Sequence, residues 1–339
     1  MGVREGTDAM KKTLGALVLV ALAVAAVATL IACGGGGPQV ALVAYSTPRE
    51  AYAELILAFQ KTAAGANVEF SESYGSSGEQ SRAVEAGLPA DVVEFSLAPD
   101  MTRLVTANLV DKTWDQNQYD GFVTKSVVVL VVRKGNPKGI KTWADLTKPD
   151  VEVIEPNPFT SGGAKWNIMA AYGAQLKQGK TAQEAEAYLA ELFKHVPVQD
   201  KSAREALQTF IGGKGDVLLS YENEAIAAQQ AGEAVDYVVP AETILIENPL
   251  AVTADASSAP ESKAFYDYLY TPAAQAIFVS KGYRPVVDGI PGAAKFPTPT
   301  KLFTIDDLGG WDKVNKDFFD PTASVMATVE QGLGISTQQ

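Results

Sequence analysis

Short apolar runs rich in Val, Leu and Tyr alternate along most of the chain with segments whose apolar residues recur at helical spacing. The runs predict strands over residues 40–45, 68–73, 91–95, 123–133, 152–155, 196–198, 217–221, 235–239 and 244–253, with amphipathic helices between them. Strand and helix in alternation give an α/β architecture with mostly parallel sheets. The run V-T-K-S-V-V-V-L-V-V-R at 123–133 is long enough to pass from one lobe to another, and 244–253 supplies a return. The expected plan is residues 40–122 plus 246–339 as one lobe, 123–245 as the other, and a cleft between. The tail after Gly282, richer in Pro and Gly, is expected to wrap the first lobe.

Many strands run straight into a helix start. Thr47 with Pro48 and Glu50, Ser77 with Gln80, Thr181 with Glu184, Ser202 with Glu205, and Ser258 with Glu261 all fit the spacing of a helix cap. The stretch P-N-P-F-T-S-G-G-A-K-W-N-I-M-A-A, residues 156–171, reads as a loop collapsing into a helix capped by Ser161. Gly162 and Gly163 leave its first-turn N–H groups open to a close guest. A helix start has unpaired donors and the positive end of the dipole, so it favours anions. A lone cap is ordinarily structural, but G-S-S-G and T-S-G-G concentrate Gly and Ser unusually. In open parallel sheets, ligands sit beyond the carboxyl ends of strands, where such helices begin.

Charge narrows the options. The net charge of −12 excludes nucleic acid as a partner, because phosphate backbones require basic surface. An anion would meet a repulsive long-range field, so its site has to work through close, local donors. Glu50, Glu79 and Glu205 stand in first turns and oppose an anion if they point inward. Arg204 and Lys165 are placed either to offset them or to stand as solvated neighbours of their helices, and the sequence favours neither. Tyr221, at a strand end beside E-N-E, is a further donor candidate.

The N-terminus carries Arg4, Lys11 and Lys12, then an apolar run ending in L-I-A-C at Cys33 and four glycines. The run is long enough to span a membrane. Basic residues, apolar run, small residue, Cys and flexible tether in that order resemble a bacterial lipoprotein signal. On that reading residues 1–32 are removed, Cys33 carries lipid, and 33–39 form a tether. Cys33 is the sole cysteine, so no disulfide and no thiolate metal site is expected.

Catalytic patterns are thin. Ser77 does not sit in a G-x-S-x-G elbow, and the sole histidine, His195, ends a helix. No zinc-protease, Walker or dinucleotide motif occurs. A hydrolase built on Ser77 or Ser161 would need His195 as its base.

Together Y-S-T-P-R-E, S-Y-G-S-S-G-E-Q-S, P-A-D-V-V, V-R-K-G-N-P-K, P-N-P-F-T-S-G-G-A-K-W-N, G-K-G-D-V-L-L-S-Y-E-N-E-A, Y-R-P and F-T-I-D-D-L-G-G-W resemble the bacterial sulfate-binding proteins of ABC importers. The resemblance covers about residues 40–311. It implies a two-lobed type II periplasmic-binding-protein fold, a monomer without cofactor, and delivery of sulfate or thiosulfate to a membrane permease. It also implies N–H donors at Ser46, Ser77, Gly162, Gly163 and Ala203, a hydroxyl donor at Ser161, and Tyr221 where the family often has an indole. The family often has Asp at the place of Ser46, Gly at that of Glu205 and Lys at that of Glu79. Donors alone suffice for a dianion, since a hydrogen bond to a charged group contributes about 1.5–3 kcal/mol and micromolar binding needs about 8 kcal/mol. A proton-bearing anion such as phosphate would place its O–H against donors. Molybdate and phosphate remain alternative ligands.

Overall fold

The computed structural model describes residues 37–256 and 259–337. The signal reading of residues 1–32, the lipid on Cys33 and the cap at Ser258 lie outside the described residues.

In chain order the first elements are β1 (Gln39–Tyr45), α1 (Arg49–Phe59), β2 (Glu69–Gly75), α2 (Ser77–Glu85), β3 (Val92–Glu94), α3 (Ala98–Thr106) and β4 (Phe122–Arg133). Then come β5 (Val153–Ile154), α4 (Gly162–Lys177), α5 (Ala182–Lys194), α6 (Ala203–Ile211), β6 (Val217–Tyr221), α7 (Glu222–Gln230), β7 (Val235–Val238) and β8 (Glu242–Val252). The last are α8 (Pro260–Leu269), α9 (Pro272–Ser280), β9 (Arg284–Pro285), β10 (Lys301–Phe303), α10 (Gly310–Phe319) and α11 (Val325–Gly332).

The sheet runs β2-β1-β3-β8-β4-β6-β5. Pairing is parallel for β1 with β2 and β3, and for β5 with β6. Around the two long strands it turns antiparallel. β8 pairs β3 through Val92↔Val252 and β4 through Val127↔Leu245, while the far half of β4 pairs β6 through Val128↔Tyr221. Each long strand therefore serves two sheet regions in succession. A passage out and back must run antiparallel to itself, which is why the mixed pairing sits there.

Separate apolar clusters fill the two ends. Val40, Leu42, Tyr52, Phe59, Leu250, Phe265 and Phe278 pack with α1, α8 and α9 on the β1 side. Trp143, Trp166, Met169, Leu189, Phe193, Leu219 and Ile246 pack with α4 and α5 on the β6 side.

The tail departs from expectation. β10 pairs with the start of β8, at Phe303↔Ile244, and Phe318 stacks edge-on to Tyr172 of α4 at 4.7 Å. Trp311 does the same to Trp166. The apolar face of α10, Val314, Phe318 and Phe319, thus buries against the second region rather than wrapping the first, because the aromatic face of α4 is there to receive it. Residues 196–198 form no strand: Pro197 lacks an N–H for a ladder, and the segment runs extended beside β5 with Val153 N–H donating to the His195 carbonyl.

Candidate functional site

Helix starts gather at one small cavity. Its wall is Tyr45, Ser46 and Thr47 after β1, Ser76 and Ser77 after β2, Ser96 after β3, Ser161–Gly163 at the head of α4, Ser202 and Ala203 at the head of α6, and Tyr221 at the end of β6. Its free volume is about 10 Å³, the scale of a water-sized guest. A sugar or a peptide does not fit there.

Each donor is placed by local chemistry. Ser161 caps α4, its Oγ accepting from Ala164 N–H at 3.3 Å, and Ser202 caps α6 by accepting from Glu205 N–H. Gly162 and Gly163 occupy the first helical turn, where a side chain would not fit. A Cβ on Gly162 would stand 2.7 Å from Leu97 Cδ2 and 2.8 Å from Ser96 Oγ, and one on Gly163 3.1 Å from Ala203 Cβ. The head of α4 therefore touches the β3 end on one side and α6 on the other. Among the described residues no acceptor faces the N–H groups of Ser46, Ser77, Gly162, Gly163 and Ala203. Burying so many free amides without a guest is costly, and a bound acceptor removes that cost.

The start of α1 differs from the expected cap. Pro48, not Thr47, holds the cap position. The Thr47 hydroxyl instead meets Tyr283 Oη at 3.2 Å. At α2 the cap is Ser76, not Ser77. Ser77 Oγ donates to Asp100 Oδ2 at 2.5 Å and accepts from Ser96 N–H at 2.9 Å. This frees the Ser77 amide while fixing its side chain. Burial pushes the Asp100 carboxyl up, against the pull of Lys165 and the Ser77 hydroxyl.

Tyr221 is fully buried, and burial holds its hydroxyl protonated. Its Oη lies 2.6 Å from Ser96 Oγ. Ser96 was not anticipated, although F-S-L-A-P repeats the strand-then-Ser-then-helix pattern of the other four loops. Tyr45, Thr47, Ser76 and Ser202 also line the cavity without having been singled out as ligand groups.

The two expected bases do not face the cavity. Lys165 Nζ bonds Asn315 Oδ1 at 3.1 Å and lines a separate, larger cavity. Arg204 clasps across the molecule: Nη1 to Glu50 Oε1 at 2.5 Å, Nη2 to Glu224 Oε1 at 2.9 Å and to the Thr47 carbonyl at 3.1 Å. It thereby neutralises Glu50, one of the acids feared near the site, while Glu205 turns away to accept from Lys201 N–H. Burial pulls the Arg204 guanidinium down, but Glu224 and Glu50 outweigh it and keep it charged.

No hydrolytic constellation assembles. His195 Nδ1 lies 3.0 Å from the Val151 carbonyl and does not line the cavity. Among the described residues no cluster of His, Cys, Asp or Glu is arranged to hold a metal ion, and no helix is long and apolar enough to cross a membrane.

Helix heads around a small cavity on a sheet threaded by two long strands fit the type II periplasmic-binding-protein fold, the fold of its structural neighbours. The chain belongs to the bacterial extracellular solute-binding protein family, whose model matches residues 40–284. It is 44% identical to the "Sulfate-binding protein" of Synechococcus elongatus over 88% of this chain and 91% of that one. It is 35% identical to the "Thiosulfate-binding protein" of Pseudomonas aeruginosa over 86% and 94%. The solved sulfate-binding protein SubI from Mycobacterium tuberculosis superposes with a TM-score of 0.80 at 45% identity, covering 84% of this chain and all of that one.

Proposed function

We propose that the protein is an extracytoplasmic receptor that captures sulfate or thiosulfate and hands it to the permease of an ABC importer. The carrying observation is that Ser46, Ser77, Gly162, Gly163 and Ala203, whose N–H groups have no hydrogen-bond partner among the described residues, all line one small cavity with no Lys or Arg side chain in its wall. The Ser161 and Tyr221 hydroxyls add donors. A fully deprotonated tetrahedral dianion only accepts, so it matches a wall of this kind. The relatives named for sulfate and thiosulfate support the same ligand class.

On this reading residues 40–122 and 123–245 are the cores of two lobes, with β8 completing the first. β4 and β8 act as the hinge. Closure brings the heads of α4 and α6 onto the loops after β1 and β2, and Arg204 with Glu50 fastens the closed form. The protein works as a monomer, and lipid on Cys33 holds it at the membrane. We read it as a binding protein rather than an enzyme, in keeping with relatives named for binding.

Titration calorimetry of the purified chain tests the reading. Sulfate or thiosulfate is expected to bind with a micromolar or lower Kd, about 8 kcal/mol or more. Absence of heat with both anions at millimolar concentration sinks it. Stronger binding of molybdate than of either would replace sulfate with that rival.

A further inference from the structure

The cavity wall contains more than donors. Backbone N–H groups can only donate, whereas a hydroxyl both donates and accepts. Tyr45 and Ser76 bring buried hydroxyls to the wall; that of Ser76 has no hydrogen-bond partner, and that of Tyr45 lies beside Thr47 and Tyr283. Tyr221 and Ser96 bring a coupled pair, 2.6 Å apart, in which either oxygen can be the donor. The backbone of Ser96 is pinned: its N–H donates to Ser77 Oγ, and its carbonyl accepts from Trp166 Nε1 at 2.8 Å and Asn248 Nδ2 at 3.2 Å. Only the hydroxyl protons of the pair are free to reorient.

Two protons and one shared hydrogen bond leave two arrangements. If Ser96 donates to Tyr221, the phenol proton turns to the cavity and serves a bare oxygen. If Tyr221 donates to Ser96, a phenol lone pair faces the cavity and serves an O–H. The change is a rotation of hydroxyls and moves no charge. No carboxylate side chain lines this cavity, so the side-chain acceptors open to a proton on the guest are hydroxyls. In a wall of donors only, such a proton would stand unmatched, at a cost of about 1–3 kcal/mol or more.

We propose that the Ser96–Tyr221 pair is a reversible donor–acceptor element that lets the site also hold singly protonated tetrahedral dianions, such as hydrogen phosphate or hydrogen arsenate. This rests on the oxyanion reading above and extends it to a second ligand class. The bare dianion is held more tightly, because it satisfies every amide without turning the pair. The protonated one binds through the turned pair.

The test compares sulfate and inorganic phosphate on the same protein, at about pH 8, where phosphate is a singly protonated dianion. For the unsubstituted chain, phosphate is expected to bind with a Kd within about 1,000-fold of that for sulfate. In Ser96→Ala the phenol can still donate to sulfate but has no partner for its own proton when it accepts. Sulfate affinity should then fall as well, because the phenol loses the partner that orients it, but phosphate should lose more, so that the phosphate-to-sulfate Kd ratio rises by about 10-fold or more. Tyr221→Phe should weaken both anions. Sulfate binding in each variant reports that the fold and cradle are intact. An unchanged ratio in Ser96→Ala overturns the proposal, as does phosphate that fails to compete at high millimolar concentration while sulfate binds. If sulfate itself does not bind the unsubstituted chain, the oxyanion reading fails instead.

Discussion

Ser161 and Gly162 form a wall between two cavities that present positive charge in different ways. The larger, about 670 Å³, is faced by Arg82, Arg103, Lys165 and Lys316, together with Asp100, Asp312 and Asp320. The smaller has no cationic side chain at all. Formal charges arrive with counter-charges and water. Arg103 pairs with Glu85 at 3.4 Å, and burial lowers the pKa of Lys165 although Asp100 supports its charge. Backbone dipoles arrive with neither. The folding that forms the helices and seats their caps has already taken the Gly162, Gly163 and Ala203 amides out of water and left them unmatched. If the smaller cavity is the anion site, as proposed, the difference teaches that fixed, dry donors suit a dianion better than dense charge.

The sharpest way to break that comparison is to spoil the wall. Gly162→Ala puts a methyl 2.7–2.8 Å from Leu97 and Ser96. Overpacking of this kind costs about 1–3 kcal/mol, so closure and sulfate affinity should suffer by about 5- to 100-fold. Gly162→Asp adds a carboxylate at the head of α4, beside the guest, and the loss should exceed about 1,000-fold. Calorimetry reads both, with circular dichroism showing that each chain still folds. Tight sulfate binding by the Asp variant would mean that the guest lies elsewhere.

Much of this arrangement was legible beforehand, for identifiable reasons. The strand-then-Ser/Thr-then-helix pattern is local, and Thr181 with Glu184 forms the full reciprocal cap that its spacing implies. Gly162 and Gly163 announce a close approach, and Ser96, Leu97 and Ala203 are what approaches. What local pattern does not carry is partner choice across the chain. Lys165 and Arg204 sit beside ligand-loop residues in sequence, yet their side chains reach Asn315 and Glu50, more than a hundred positions away. The tail misled for the same reason: its Pro and Gly were visible, but the aromatic contacts of Trp311 and Phe318 with α4 are long-range. Tyr45 and Ser76 were passed over because a hydroxyl next to a recognised donor looks like its neighbour until the two are seen to share a cavity.

A middle-sized effect is expected from the clasp. Arg204 touches both the fully buried Glu224 and the half-exposed Glu50. Arg204→Gln strands Glu224 without its partner, and breaking a buried pair this way costs about 3–5 kcal/mol of stability. The melting temperature should fall clearly. Sulfate affinity should fall by only about 10-fold, through looser closure rather than lost attraction, because the guanidinium does not face the guest. Glu50→Gln removes the more exposed arm, worth about 1 kcal/mol or less. An Arg204→Gln loss as large as that of Gly162→Asp would show that the cation itself holds the anion, and the contrast between dipoles and charges would dissolve.

The smallest effect belongs to Lys165, and it is the most direct test of whether charge in the larger cavity matters. Lys165 lies on the same helix as Gly162, one turn further in, so an attraction between its ammonium and the guest is the natural rival explanation. Two features argue against it. The ammonium is bonded to Asn315 and stacked over Phe319 at 5.0 Å, on the far side of the Ser161–Gly162 wall. It also opposes the upward push of burial on Asp100. Replacing Lys165 by Gln removes the support its ammonium gives the Asp100 carboxylate, so burial pushes that carboxyl up further. Sulfate Kd should still shift by less than about 3-fold at physiological salt, because the ammonium lies beyond the wall and long-range terms are screened within about 8 Å. Titration calorimetry of the variant reads the shift. A loss of about 30-fold or more would restore the ammonium as a direct counter-charge to the anion.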